Sequence, residues 1–225
     1  MSDGEDRRTR LTPKGVAMRA RIVEAAAGLA FRSGARETSL NEVRHEVGAS
    51  KSQLYHYFAD KDELLSAVIE YQGLRVLDAQ QPELSEIVSW ETMGRWRDKL
   101  VQLAEVYGTV GGCPVGSLGN ELAAQGPAHR ASVSEQFDLW AGEIERALTA
   151  MQTRGVLSPD CDPKQLSRLF LSTIQGGLLF AKLQGTAAFL ATALDQLIAV
   201  IQAQAAVSSP AAAASRRSVR SPSSP

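Results

Sequence analysis

Between Lys51 and His56 the chain carries Lys51, Ser52, Gln53, Tyr55 and His56, with no acid among them. These side chains suit recognition through hydrogen bonds better than bond making. Gln pairs with both hydrogen-bonding groups of an adenine edge, Lys reaches guanine edges, and Ser bonds either. Tyr hydroxyls and Lys ammonium groups suit phosphates. Leu54 and Phe58 fall on the other side of the same helical pattern, so the polar set shares an outward face.

Such a face needs helices to aim it. Ser39 followed by Glu42, and Ser50 followed by Gln53, are capping-box patterns; Asp60 with Glu63 is a third, acidic start. Gly48-Ala49 makes a short turn between the first two. Leu40, Val43 and Val47 form one apolar face and Leu54 and Phe58 another. A preceding helix over about 16–32, with Ile22, Ala26 and Leu29 on one side, ends at Gly34. A following helix over about 61–79 carries Leu64, Leu65, Val68 and Ile69. The outline is a helix-turn-helix, the unit that puts one helix into the DNA major groove. Thr38 and Lys61 flank it where they would hold the DNA backbone, and the helix start at Ser39 offers N–H groups to a phosphate. Any two short capped helices share this outline, so the spacing alone leaves a plain helical pair open.

The segments RARIVEAAAGLAFRSGARETSLNEV and VGASKSQLYHYFADKDELLSAVI carry more information. They resemble the N-terminal domain of the TetR (tetracycline repressor-like) family of bacterial transcription regulators. The resemblance covers about 19–71, and SKSQLYHYFADKDEL is its most specific part. It implies a three-helix DNA-binding unit followed by a linker helix. It implies base contacts from the helix of Ser50, Lys51, Ser52 and Gln53, and phosphate contacts from Thr38, Tyr55, His56 and Lys61. Tyr57 and Phe58 are divided between phosphate and core. The chain departs from the family at Arg44-His45-Glu46, where small residues are usual; Arg44 is an added phosphate contact or a solvated side chain. GCPVGSLGNELA and STIQGGLLFAKLQGT resemble a subgroup in which some members sense electrophiles or oxidants through a cysteine.

Composition sets the frame. The chain of 225 residues has a net charge of -1, yet between Arg7 and Lys61 eleven Lys or Arg face five acids. That local excess suits phosphates without making the whole chain a polycation. An apolar fraction of 44% with only 6% aromatics points to an Ala- and Leu-rich, all-α core. The first twenty residues are charged and lack an apolar run, and no stretch of about twenty apolar residues occurs. The expectation is a reduced protein of the bacterial cytoplasm and nucleoid, with no membrane partner. The three histidines show no metal-ligand spacing, and no nucleophile, phosphate-loop or dinucleotide motif appears. No cofactor is expected. An all-helical enzyme or a protein-interaction module is the rival reading, and neither accounts for the Lys51–His56 face.

The expected organisation is a basic arm (1–15), a DNA-binding domain (16–60), a linker helix (61–80), a ligand-binding and dimerisation domain (81–206) and a tail (207–225). The arm's Arg7, Arg8, Arg10 and Lys14 either follow DNA or are solvated. Downstream, helices are expected over about 83–107, from near 113 or 114, and over 128–153, 163–183 and 186–206, nine in all. A small-molecule pocket is expected at Trp96, Leu100, Leu103, Cys113, Phe137 and Trp140. Residue by residue, the same stripe reads first as core. Cys113, beside a helix start, is either a thiol activated by the dipole or a small buried residue. Cys161, between Asp160 and Asp162, should be inert. The resemblance implies a dimer through the last two helices, for which Ile174, Gly177, Leu178, Ala181, Leu194, Leu197 and Ile201 are the expected face. Two reading helices about 34–36 Å apart then meet a palindromic operator. The family's usual outcome, repression relieved by an effector, is the expected function; the sequence identifies no effector.

Overall fold

Thr12 opens the first helix: its hydroxyl accepts from the Gly15 N–H at 3.3 Å, and Pro13 occupies a position that needs no donor. The computed structural model describes residues 11–207. The arm residues Arg7, Arg8 and Arg10 and the tail beyond 207 lie outside the described residues. Helix α1 spans Pro13–Ser33, so Lys14 is helical rather than part of an arm. α2 spans Leu40–Val47, α3 Lys51–Tyr57 and α4 Lys61–Asp78. α5 runs Trp90–Leu103 and continues through a π-helical stretch, Ala104–Gly108, into a last turn, Thr109–Gly111. α6 is Pro114–Leu122, α7 Pro127–Thr153, α8 Pro163–Gln184 and α9 Ala188–Val207. The described residues are all-α, with no strand.

These helices gather into two compact units. The first holds the described residues up to Val76 together with Pro114–Gln136; the second holds Leu77–Cys113 and the described residues from Phe137 onward. By their contacts α6 and the first part of α7 group with the reading helices, within the segment 81–206 expected as the ligand-binding and dimerisation domain.

In the first unit Ile22, Ala26, Val43, Leu54, Phe58, Leu64, Leu65 and Val68 are buried. Burying a Leu or Phe is worth about 1.5–3 kcal/mol, against about 1 kcal/mol for an N-cap. Packing therefore dominates the stability of α2 and α3, and the caps define their ends.

In the second unit Met93, Trp96 and Leu100 of α5 are buried, as are Trp140, Ile144, Leu148, Phe170, Ile174 and Leu190. The Trp96 indole N–H donates to Gln80 Oε1 at 3.1 Å, and its ring lies 5.8 Å from that of Phe170. α5 begins at Trp90 rather than near 83, because Ser89 and Thr92 form a capping box there. Tyr107, which continues the apolar stripe in the sequence, is 62% exposed. The π-helical stretch explains this: its wider turn rotates Val106 and Tyr107 outward and brings Ala104 and Gly108 in.

In the last two helices, most of the residues expected at the dimer face pack inside the chain. Ile174, Ala181, Leu194 and Ile201 are buried within one chain, and Leu178 and Leu197 are half-buried. Gly177 is buried too: a Cβ there would meet the Leu190 Cα at 2.8 Å, so the glycine lets α8 lie against α9. The exposed apolar residues of this pair are instead Leu169, Leu179, Phe180, Leu183, Phe189 and Val200. Gly177→Ala should cost about 1–3 kcal/mol through overpacking, measured as a lower urea midpoint, whereas Gly176→Ala, with open space at its Cβ, should cost nothing.

Candidate nucleic-acid interface

The face foreseen between Lys51 and His56 forms. Lys51, Ser52, Gln53, Tyr55 and His56 are exposed, while Leu54 and Phe58 are buried and Tyr57 is half-buried. The Lys51 ammonium lies 5.9 Å from the Tyr55 ring centroid, and His56 and Tyr57 meet edge to face at 5.0 Å. Beneath them the Arg19 guanidinium lies 4.9 Å from the Phe58 ring centroid.

The caps use part of the polar equipment. Ser50 Oγ accepts from the Gln53 N–H at 3.1 Å, and Gln53 Oε1 accepts from the Ser50 N–H at 2.8 Å. One of the two lone pairs of Gln53 Oε1 is thus committed to the cap, and two-point pairing with adenine would share that oxygen with the Ser50 N–H. Ser39 and Glu42 form the same box on α2, with an added bond from Ser39 Oγ to Glu42 Oε2 at 2.7 Å. Those hydrogen bonds, the side-chain one first, hold the exposed Glu42 carboxyl below its ordinary range.

Two expected phosphate contacts are otherwise engaged. Thr38 is 4% exposed and its hydroxyl donates to the Gly34 carbonyl at 2.9 Å, so its role here is to close the α1–α2 loop. The Lys61 ammonium donates to the Arg36 carbonyl at 2.6 Å. Arg44 is half-buried; its Nε and Nη2 donate to Asn41 Oδ1 at 3.2 and 2.9 Å, and Nη2 lies 2.8 Å from His45 Nε2.

Beside this face Thr12, Met18 and Arg21, which the sequence left unassigned, join residues it had named. A cleft of about 420 Å³ is lined by Thr12, Lys14, Met18 and Arg21 of the α1 region and by Gln53, His56 and Tyr57 of α3. It sets two cations beside the outward face. Arg21 lies about two helical turns beyond Lys14 on α1, so the two share one face, a relation visible only once the helix is known to start at Pro13.

This geometry, two short capped helices with an acid-free outward second helix, coincides with matches to known families. Residues 22–68 match the family of bacterial regulatory proteins of the tetR type. Residues 92–197 match the tetracyclin repressor-like C-terminal domain. The chain belongs to the TetR family. Its relatives include the HTH-type transcriptional regulator YxaF of Bacillus subtilis, 28% identical over 165 residues, which are 72% of this chain and 84% of that one. The transcriptional regulator AcuR of Cereibacter sphaeroides is 27% identical over 156 residues, 67% of this chain and 70% of that one. A TetR regulator from Chloroflexus aurantiacus superposes with a TM-score of 0.73 at 26% identity, covering 84% of this chain and 96% of that one. The reduced form of E. coli NemR shares the fold, with a TM-score of 0.74 at 18% identity over 82% of this chain and 98% of that one. As a TetR member the protein is a DNA-binding transcription regulator, not an enzyme.

The expected ligand residues fall in the second unit. Trp96, Leu100, Cys113 and Trp140 are buried, and Leu103 and Phe137 half-buried. Trp140 Nε1 is buried without an acceptor among the described residues. Cys113 directly precedes Pro114, the first residue of α6. The Cys161 thiol is pushed above its ordinary value by burial first and by Asp160 second, in line with an inert role. No helix of the described residues is long and apolar enough to cross a membrane.

The lowered Glu42 value has a defined sign. A depressed folded-state value means stability that is present above the ordinary carboxylate range and lost as pH falls through the lowered value. Ser39→Ala should return the Glu42 titration towards the ordinary range, seen by NMR of its side-chain carboxyl, and should flatten this part of the acid limb of stability.

Proposed function

We propose that the protein binds a palindromic operator as a homodimer, represses transcription there, and is released by a small molecule or by modification of a thiol. The acid-free face of α3, exposed from Lys51 to His56, carries this reading. Lys51 and Ser52 address base edges and Gln53 adds its NH₂ donors. Tyr55, His56 and the cations of the adjoining cleft address phosphates. Ser39 and Ser50 present helix N-termini, and Lys61 and Arg44 sit at the flanks, each requiring a partner exchange before it meets DNA. The double variant Lys51→Ala plus Gln53→Ala should lose sequence-specific binding in a gel shift while its far-UV circular dichroism stays unchanged. Parent-like affinity in that variant removes the assignment.

For the dimer, the exposed apolar residues of α8 and α9 replace the buried set. Leu169, Ser172, Gly176, Leu179, Phe180 and Leu183 recur at three- and four-residue steps along α8, and all are exposed. The Phe180 and Phe189 rings stack at 4.8 Å, joining this stripe to α9. Leu179→Asp should shift sedimentation to the monomer and weaken operator binding at least about tenfold, since each half-site alone contributes little of the cooperative affinity; a stable dimer in that variant places the interface elsewhere.

The effector lodges among the long helices of the second unit, against Trp96, Leu100, Leu103, Phe137 and Trp140. The buried Trp140 N–H without an acceptor favours an apolar molecule bearing a hydrogen-bond acceptor. An effector releases DNA only if it binds the two states unequally. The thiol route runs through Cys113 rather than Cys161. A regulator of this kind works in the cytoplasm, on the nucleoid.

A further inference from the structure

The backbone of Arg36 is held on both sides. Its N–H donates to Glu121 Oε2 of α6 at 3.2 Å, and its carbonyl accepts from the Lys61 ammonium of α4 at 2.6 Å. The loop around it closes on itself: Thr38 donates to the Gly34 carbonyl from both its N–H, at 3.2 Å, and its hydroxyl, at 2.9 Å. Ala35 is fully buried. Gly34 has φ of 93°, and a Cβ there would lie 3.1 Å from Glu121 Oε2. The glycine thus meets a backbone requirement and also leaves room for the carboxylate. One residue past Thr38, Ser39 caps α2. A carboxylate 85 positions away in the chain therefore fixes the loop that launches the first helix of the reading pair.

We propose that Glu121 is a positioning residue for DNA reading: from α6 it fixes the 34–38 loop and with it the start of α2. The proposal rests on the reading of this unit as the DNA contact. A carboxylate accepting a backbone N–H makes a charge-assisted bond, stronger than a neutral one. The Glu121 carboxylate does not itself meet DNA, since a phosphate repels it. Its contribution is orientation, and that gives a signature distinct from a lost phosphate contact.

The test uses the full chain and a duplex selected from random-sequence DNA by the unmodified protein. Affinity is read by fluorescence anisotropy across a salt series, and hydrogen exchange over 34–41 by mass spectrometry. Glu121→Ala should bind about tenfold more weakly, with an unchanged slope of log Kd against log salt because no phosphate contact is lost. Its 34–41 segment should exchange faster. Glu121→Gln should recover most of the affinity, since its amide oxygen still accepts the Arg36 N–H. Glu121→Asp, with the charge on a shorter arm, should behave like the alanine variant. Parent-like affinity in both the alanine and aspartate variants overturns the proposal, as does weaker binding with unchanged exchange over 34–41 or with a changed salt slope. If Glu121→Ala does not fold, the aspartate and glutamine variants decide by the same readouts. If the unmodified protein selects no DNA, the reading of this unit fails, and exchange over 34–41 alone decides whether Glu121 holds the loop.

Discussion

A helix of seven residues does not persist alone in water; isolated helices shorter than about 12–15 residues are marginal. α3, at seven residues, exists because Leu54 and Phe58 are buried. That burial sets the rotation of the helix about its axis, and the rotation determines which side chains face outward. The whole outward set from Lys51 to His56 is thus a by-product of two apolar residues four positions apart. The Arg19 guanidinium over the Phe58 ring extends the same anchor to α1.

The local chemistry was largely readable. Capping boxes are short-range patterns, and those at Ser39 and Ser50 form as their spacing implies. What each side chain does inside a cap was harder to read. Gln53 suits DNA by its type and Thr38 by its place at the flank, yet one uses its carbonyl at a helix start and the other its hydroxyl in a loop. A polar residue beside a helix terminus has two customers for its hydrogen bonds, and the sequence does not rank them.

Long helices posed a different difficulty. α8 is apolar on two sides, so periodicity identified the helix without saying which side turned inward. Gly177 and Gly176 show the consequence: one is needed for contact with Leu190, the other stands in open space, and nothing in the dipeptide distinguishes them. The grouping of α6 with the reading helices was equally hidden. It depends on contacts such as Glu121 with Arg36, between residues far apart in the chain, which no local pattern encodes.

The π-helical stretch in α5 behaves as a one-residue insertion retained within a helix. An added residue turns everything after it by about 100° relative to a regular helix. Here Gly108, whose Cβ would lie 3.0 Å from Leu178, owes its inward place to that added rotation, and Val110 its 70% exposure. Lineages that lose one residue within 104–108 would carry a different surface at the end of α5 with every downstream letter unchanged. Alignments that place a gap there should therefore be read as a change of face, not as a trimmed loop.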